Sequence, residues 1–417
     1  MISLSTTFRA LRSRNYRLYF WGQSLSLIGT WMQQVALGWL VYRLTDSAFL
    51  LGVVGFSSQI PTLFLAPLTG VAADRFPRRA ILVATQSLFM AQALALAAIV
   101  LLGVETIPLI ILLSLFHGVV MAFDAPARHA FVVEIVGSRD DLSNGIALNS
   151  ALFHASRLIG PSAAGILIML WGEGICFLAN GLSYLTTIAA LLAIRLAPVA
   201  ARREEGRILS QFADGVRYAR GSLPIKSILL LVAFVCFVGM PYTTLLPIIA
   251  RDVLHGNSTT FGYLMSGAGI GAVSGALYLA SRPGNAALLR NIMIAPAVFG
   301  IGAMGLAFSR SFPLSFAILA VSAFGMMTVM ATSNTVLQEV VSERMRGRVM
   351  SLYTLSFFGS VPFGNLLAGS LAAHLGAPVT IFMAGVLCIG AAAVFRMYYG
   401  EIEKRLVAPG TGEAISS

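Results

Sequence analysis

The sequence predicts an all-α membrane protein of twelve transmembrane helices in two pseudo-symmetric six-helix bundles. Three observations carry that prediction. Of 417 residues, 57% are apolar and only 11% are charged, less than half the charged share of an ordinary soluble domain, about 25%. The apolar residues fall into twelve runs, each long enough to cross a hydrocarbon core about 30 Å thick as a helix. The cations gather in alternate connections between those runs. The strands of a membrane barrel would be about half this length and alternating, which excludes a barrel.

The first six runs cover 18–42, 48–73, 80–102, 107–127, 144–170 and 174–196. The next six cover 227–250, 259–280, 288–309, 313–336, 349–371 and 378–399. Between the sets, 197–226 carries Ile208, Phe212, Val216 and Tyr218 among Arg207, Asp214, Arg217 and Arg220. That mixture reads as an amphipathic helix lying on a membrane surface. The expected domains are therefore 1–196, a linker at 197–226, 227–400, and a disordered tail at 401–417 rich in Gly and Pro. An offset of 205 residues carries Gly70 onto Gly275, Glu134 onto Glu339 and Arg139 onto Arg344. Six spans per half is an even number, so both halves enter the membrane from the same side, as a parallel repeat.

Charge gives the orientation. Of the 28 Lys and Arg residues, 24 fall in segments on the side of the termini, and only Arg43, Arg251 and Arg310 fall on the other. By the positive-inside rule both termini are cytoplasmic, in a cell membrane of the bacterial inner-membrane kind. The net charge of +11 then follows from topology and contact with anionic lipid, not from a nucleic-acid partner. The first run is about 25 residues long and leads straight into a second span, so no cleavable signal peptide is expected. Cys176, Cys236 and Cys388 lie inside apolar runs, which predicts buried thiols with no disulfide or metal role. The expected partners are the bilayer and a small molecule, with the chain a monomer.

The most specific motif is Gly70-Val-Ala-Ala-Asp74-Arg75-Phe-Pro-Arg78-Arg79, between spans 2 and 3. A glycine lets span 2 approach a neighbour, an aspartate one turn later can face a helix N-terminus, and the arginines can pair with carboxylates on the same side. The stretch resembles the major facilitator superfamily signature G-x-x-x-D-R-x-x-R-R. The resemblance implies that superfamily's fold and a cytoplasmic latch that contacts the start of span 11. There the chain reads Glu343-Arg344-Met345-Arg346-Gly347-Arg348. Asp124, Arg128, Glu339, Arg346 and Arg348 are the expected partners of the latch. Its second copy is degenerate, with Leu279 where the repeat calls for aspartate.

A finer resemblance, to the branch holding the enterobactin exporter and related efflux proteins, rests on the start at Phe8-Arg-Ala-Leu-Arg-Ser-Arg-Asn-Tyr-Arg, on Phe123-Asp-Ala-Pro-Ala-Arg128 and on Arg346-Gly-Arg-Val-Met-Ser351. It runs along nearly all the chain and implies efflux. Two patterns of the superfamily are altered. The R-x-x-Q-G frame of span 4 reads Ser114-Leu-Phe-His117-Gly118, which removes the arginine associated with proton coupling. The G-x-x-x-G-P-x-x-G-G frame of span 5 keeps Gly160 and Pro161, an expected helix bend, but loses two flanking glycines.

Arg157 lies about 14 residues into span 5, roughly 21 Å along a helix. An unsupported cation there costs at least about 2.5–3.5 kcal/mol. No carboxylate is expected at its level, so it either attracts an anionic substrate or braces spans through backbone carbonyls and polar side chains. His117 and His154 fall at comparable depth and titrate in the useful range or serve as hydrogen-bonded packing. Gln23, Thr30 and Gln34 share one face of span 1, as cavity-lining or interhelical groups. Phe234 and Phe237 of span 7 and Met326 and Met330 of span 10 would give a plastic apolar wall, or ordinary packing.

Gly267-Ala-Gly269-Ile-Gly271-Ala272 fits a dinucleotide fingerprint only formally, since no strand precedes it. The chain holds no Walker A loop, H-E-x-x-H or G-x-S-x-G, so it reads as no enzyme, with no cofactor or metal and the proton gradient as energy source. The function these features imply is secondary transport by alternating access: proton-coupled efflux of an amphipathic or anionic small molecule such as a siderophore or drug. The alternatives are a lysophospholipid or other lipid translocator and, from another class, a non-transporting membrane sensor or scaffold.

Overall fold

The computed structural model describes residues 8–136, 139–196, 208–281 and 285–407. Within these, 66–68, 70–75, 139–140, 208–211, 285–287 and 405–407 are described as backbone only. Nearly everything is helical. Six long helices open the chain: α1 (Arg14–Thr45), α2 (Ala48–Arg75), α3 (Arg78–Leu101), α4 (Ile107–Ile135), α5 (Arg139–Trp171) and α6 (Glu173–Ala193). The amphipathic α7 (Ile208–Gly221) follows, where the linker is expected to be helical. The second set is α8 (Leu223–Gly239), α9 (Tyr242–Ile248), α10 (Ser258–Ala280), α11 (Asn285–Phe308), α12 (Phe312–Val340), α13 (Glu343–Phe358), α14 (Ser360–Leu375) and α15 (Ala377–Val407).

Among the described residues, eleven segments are long and apolar enough to cross a membrane. The twelfth span is α1, 32 residues long, which carries Gln23, Gln33 and Gln34 in an otherwise apolar helix. The fold is thus twelve membrane helices in two six-helix bundles. Two of the expected spans are jointed. Pro241 has no N–H for the Phe237 carbonyl and Pro362 none for that of Phe358, so spans 7 and 11 each break into two helices, α8/α9 and α13/α14. By contrast α5 runs unbroken through Gly160 and Pro161, so these residues interrupt no helix. The α5–α6 and α14–α15 turns are sharp because Gly172 and Gly376 take φ of +80° and +84°, a region closed to most L side chains.

The helices form two compact units. One takes the described residues of Met1–Asp46, Ser57–Glu205 and His255–Ser266, the other those of Ser47–Phe56, Gly206–Leu254 and Gly267–Ser417. The units follow the two sequence halves except at two short segments. In the first unit the start of α10 lies on α5 because both backbones are bare: a Cβ on Gly262 would come 2.3 Å from the Pro161 carbonyl. Ser258 and Thr259 each donate a hydroxyl to the Gly165 carbonyl at 3.1 Å. In the second unit the start of α2 lies on α14 for the same reason, with Gly52 against the Asn365 carbonyl and Gly369 against Gly52. The core of the first unit joins α1, α3, α4 and α6 through Tyr16, Tyr19, Leu82, Phe131 and Leu191.

Candidate functional site

Three arginines at one end of the first unit are tied down. Arg78, at the start of α3, pairs with Glu134 of α4 at 3.5 Å. Arg79 donates to the Leu192 carbonyl at 2.6 Å, and Arg14 to that of Ala193 at 3.4 Å. Both cations thus sit on the open carbonyls at the C-terminus of α6, where the helix dipole favours positive charge. Gly70, Asp74 and Arg75 fall in the last turns of α2, and their side chains lie outside the described residues.

Deeper in the same unit is a buried ion pair. Asp124 of α4, 0% exposed, binds Arg128 one turn on through both Nε and Nη2. Its other oxygen accepts from Thr85 Oγ1 and Gln86 Nε2 of α3, both at 2.8 Å. The sequence reading sets Asp124 and Arg128 beside the loop of Arg75, whose side chain lies outside the described residues; the Arg128 side chain is 20% exposed, while Asp124 itself is held by Thr85 and Gln86. Those two residues are legible as polar breaks in an apolar run but carry no motif. Removing one partner of such a pair costs about 3–5 kcal/mol, because the other charge stays buried.

Beyond the ion pair the polar and aromatic contacts continue. The His117 ring lies 4.9 Å from Phe89, Phe89 stacks on Tyr184, and the Tyr184 hydroxyl meets Thr30 Oγ1 at 3.3 Å. Asn180 donates to Gln33 at 2.8 Å, Gln33 to Gln92 at 3.0 Å, and Gln92 to the Leu113 carbonyl at 3.3 Å. The spacing of span 1 selects Gln23, Thr30 and Gln34. In the structure Gln23 is buried, Thr30 reaches Tyr184 and Gln34 is exposed, while the adjacent Gln33, turned about 100° around the helix, makes the buried amide contacts. At the opposite ends of the helices Arg43 pairs with Glu173 at 2.8 Å and approaches Glu105 at 3.8 Å.

Arg157 of α5 lies 5.6 Å over the Trp31 ring of α1, and among the described residues it forms no ion pair. The Nδ1 atoms of His117 and His154 are both buried, with no hydrogen-bond partner among the described residues.

In the second unit the expected residues separate. Arg348 pairs with Asp214 of α7 at 3.1 Å, and α7 fits closely because Gly215 abuts the Arg348 side chain. Among the described residues the buried Arg346 Nε has no partner. Glu339 is exposed on the last turn of α12. Phe234 is 40% exposed on α8 and Phe237 is half-buried. Met326 is 5% exposed, with its methyl group packed where Gly239 leaves room on α8. Met330 accepts from the Cys236 thiol at 3.5 Å, and the Tyr353 hydroxyl donates to its carbonyl at 2.8 Å. Helix α12 faces α8 with these residues, which makes them interhelical packing. Cys176, Cys236 and Cys388 are free and buried.

Residues 5–409 match the family described as transmembrane secretion effector. The chain belongs to that family, within the major facilitator superfamily. A staphyloferrin A transporter of Staphylococcus aureus is 24% identical over 93% of this chain and 97% of its own length. Macrolide efflux protein A of Streptococcus pyogenes is 23% identical over 94% and 98%. Among solved structures, a bacterial homologue of the human lysosomal transporter Spinster, inward-facing and occupied, superimposes with a TM-score of 0.77 at 14% identity, covering 96% of this chain and 99% of that one. The likeness to that structure is one of fold. Members of this family are multi-pass membrane transporters, not enzymes, and drug efflux and the transport of a siderophore are named among its relatives.

Proposed function

We propose that the chain is a proton-coupled exporter that works by alternating access, moving an amphipathic or anionic small molecule of the siderophore or drug kind out of the cell. Its termini are cytoplasmic in this reading, at the ends where the arginines collect. Efflux is supported by the relatives named above. Proton coupling is supported by one observation in particular, the Asp124–Arg128 pair closed off by Thr85 and Gln86. Ionisable groups within membrane helices are costly to bury and by default functional. A carboxylate released from Arg128 in one state of the cycle takes up a proton, and one re-paired in the other gives it back. Thr85 and Gln86 hold the carboxylate in place through the exchange.

The test is transport by the purified full chain in proteoliposomes. Asp124→Asn is expected to abolish uphill movement driven by an imposed pH gradient while retaining substrate exchange between equal pools. Uphill movement at the wild-type rate by Asp124→Asn excludes this carboxylate as the coupling group.

A further inference from the structure

We infer that Arg157 and Trp31 form a recognition point for a carboxylate group on the transported molecule, an inference that rests on the efflux reading above. Both residues stand 14 positions before the same end of the first unit, Arg157 before Trp171 and Trp31 before Thr45. The Arg43–Glu173 pair joins those helix ends. At 1.5 Å per residue they lie about 21 Å along their helices, near mid-membrane.

The local sequence builds the pair. A Cβ on Gly160 would stand 2.6 Å from the Trp31 Cβ and 2.8 Å from the Ile28 carbonyl, so glycine is what lets α5 close on α1 beside Arg157. Phe153 meets the indole edge-on at 5.7 Å and fixes its plane. The guanidinium carbon then sits 5.6 Å over the Trp31 ring, within the reach of a cation–π contact. The ring offers the guanidinium no oxygen to donate to, and the guanidinium N–H groups have no hydrogen-bond partner among the described residues. The N–H edge of a guanidinium matches the two oxygens of a carboxylate in one plane. No acidic side chain among the described residues pairs with Arg157. His154, three residues before on the same helical face, adds a buried Nδ1 that has no partner. Braced by an aromatic face, with no ion pair and with a nearby imidazole nitrogen unpartnered among the described residues, this cation is arranged to receive an anion.

The test is equilibrium binding to the purified full chain of a citrate-type hydroxycarboxylate siderophore, its methyl ester and a lysophospholipid. Wild-type protein is expected to bind the acid at least tenfold more tightly than the ester. Arg157→Gln should erase that preference, and Arg157→Lys, which keeps the charge without the planar fork, should restore only part of it. Equal binding of acid and ester by the wild type overturns the inference. So does an Arg157→Gln variant that weakens acid and ester alike, which marks a bracing role, or Arg157-dependent binding confined to the lysophospholipid. Should Arg157→Gln fail to fold, Arg157→Lys with an unchanged acid-to-ester ratio overturns it equally. An Arg157-dependent acid preference in a protein that moves nothing across vesicles would refute the efflux reading and leave this site standing.

Discussion

The backbone of Gly364 lies against the Phe237 carbonyl, the one that Pro241 leaves without its helical hydrogen bond; a Cβ at Gly364 would approach that oxygen to 2.1 Å. The joint between α8 and α9 is thus covered by α14, which is itself displaced by Pro362. Gly364→Val is expected to lower stability by about 1–3 kcal/mol through forced separation of these helices. A thermal melt of the purified protein reads this directly, and an unchanged midpoint contradicts the packing described.

The buried amide chain gives a paired prediction. Gln33→Leu leaves Asn180 and Gln92 each short of a partner, at about 1–2 kcal/mol by model-peptide values for interhelical hydrogen bonds. Gln34→Leu, one residue on and exposed, should leave the melting temperature within error. Equal effects of the two substitutions would mean that Gln33 does not join these helices.

For the linker the expected effect is small. The Asp214 and Arg348 side chains are 44% and 29% exposed, and exposed ion pairs contribute about 0–1 kcal/mol. Asp214→Asn should therefore shift the melting midpoint only slightly, and less in high salt than in low salt. A large loss would show that α7 is held mainly by this pair rather than by the close fit of Gly215.

Orientation is open to labelling. Phe76 is exposed in the turn between α2 and α3. Phe76→Cys, with Cys176, Cys236 and Cys388 replaced, should react with a membrane-impermeant maleimide in everted vesicles and be protected in intact cells. The reverse pattern would invert the topology.

Much of the fold is legible in the sequence because lipid imposes a strict rule: every span must be a helix, and its length and apolar content announce it. The joints at Pro241 and Pro362 were equally present as residues, yet Pro126, Pro161 and Pro296 sit inside unbroken helices, so proline alone does not fix where a helix breaks. At the candidate site, the isolation of Arg157 follows from counting carboxylates along the spans. Its seat on Trp31 does not, because the contact depends on Gly160 allowing two distant helices to close. Gln33 is obscured for a related reason: neighbours on a helix point about 100° apart, and periodicity alone favours the residue that continues a pattern. Met326 shows the converse, a soft residue suited to a binding wall that the space beside Gly239 turns into core.

The central claim is export driven by protons, and uptake into everted membrane vesicles tests it most directly. With the vesicle interior made acid, chain-containing vesicles are expected to accumulate a siderophore or macrolide above its external concentration and to release it when a protonophore collapses the gradient. Accumulation that is absent, or that survives collapse of the pH gradient, contradicts the account.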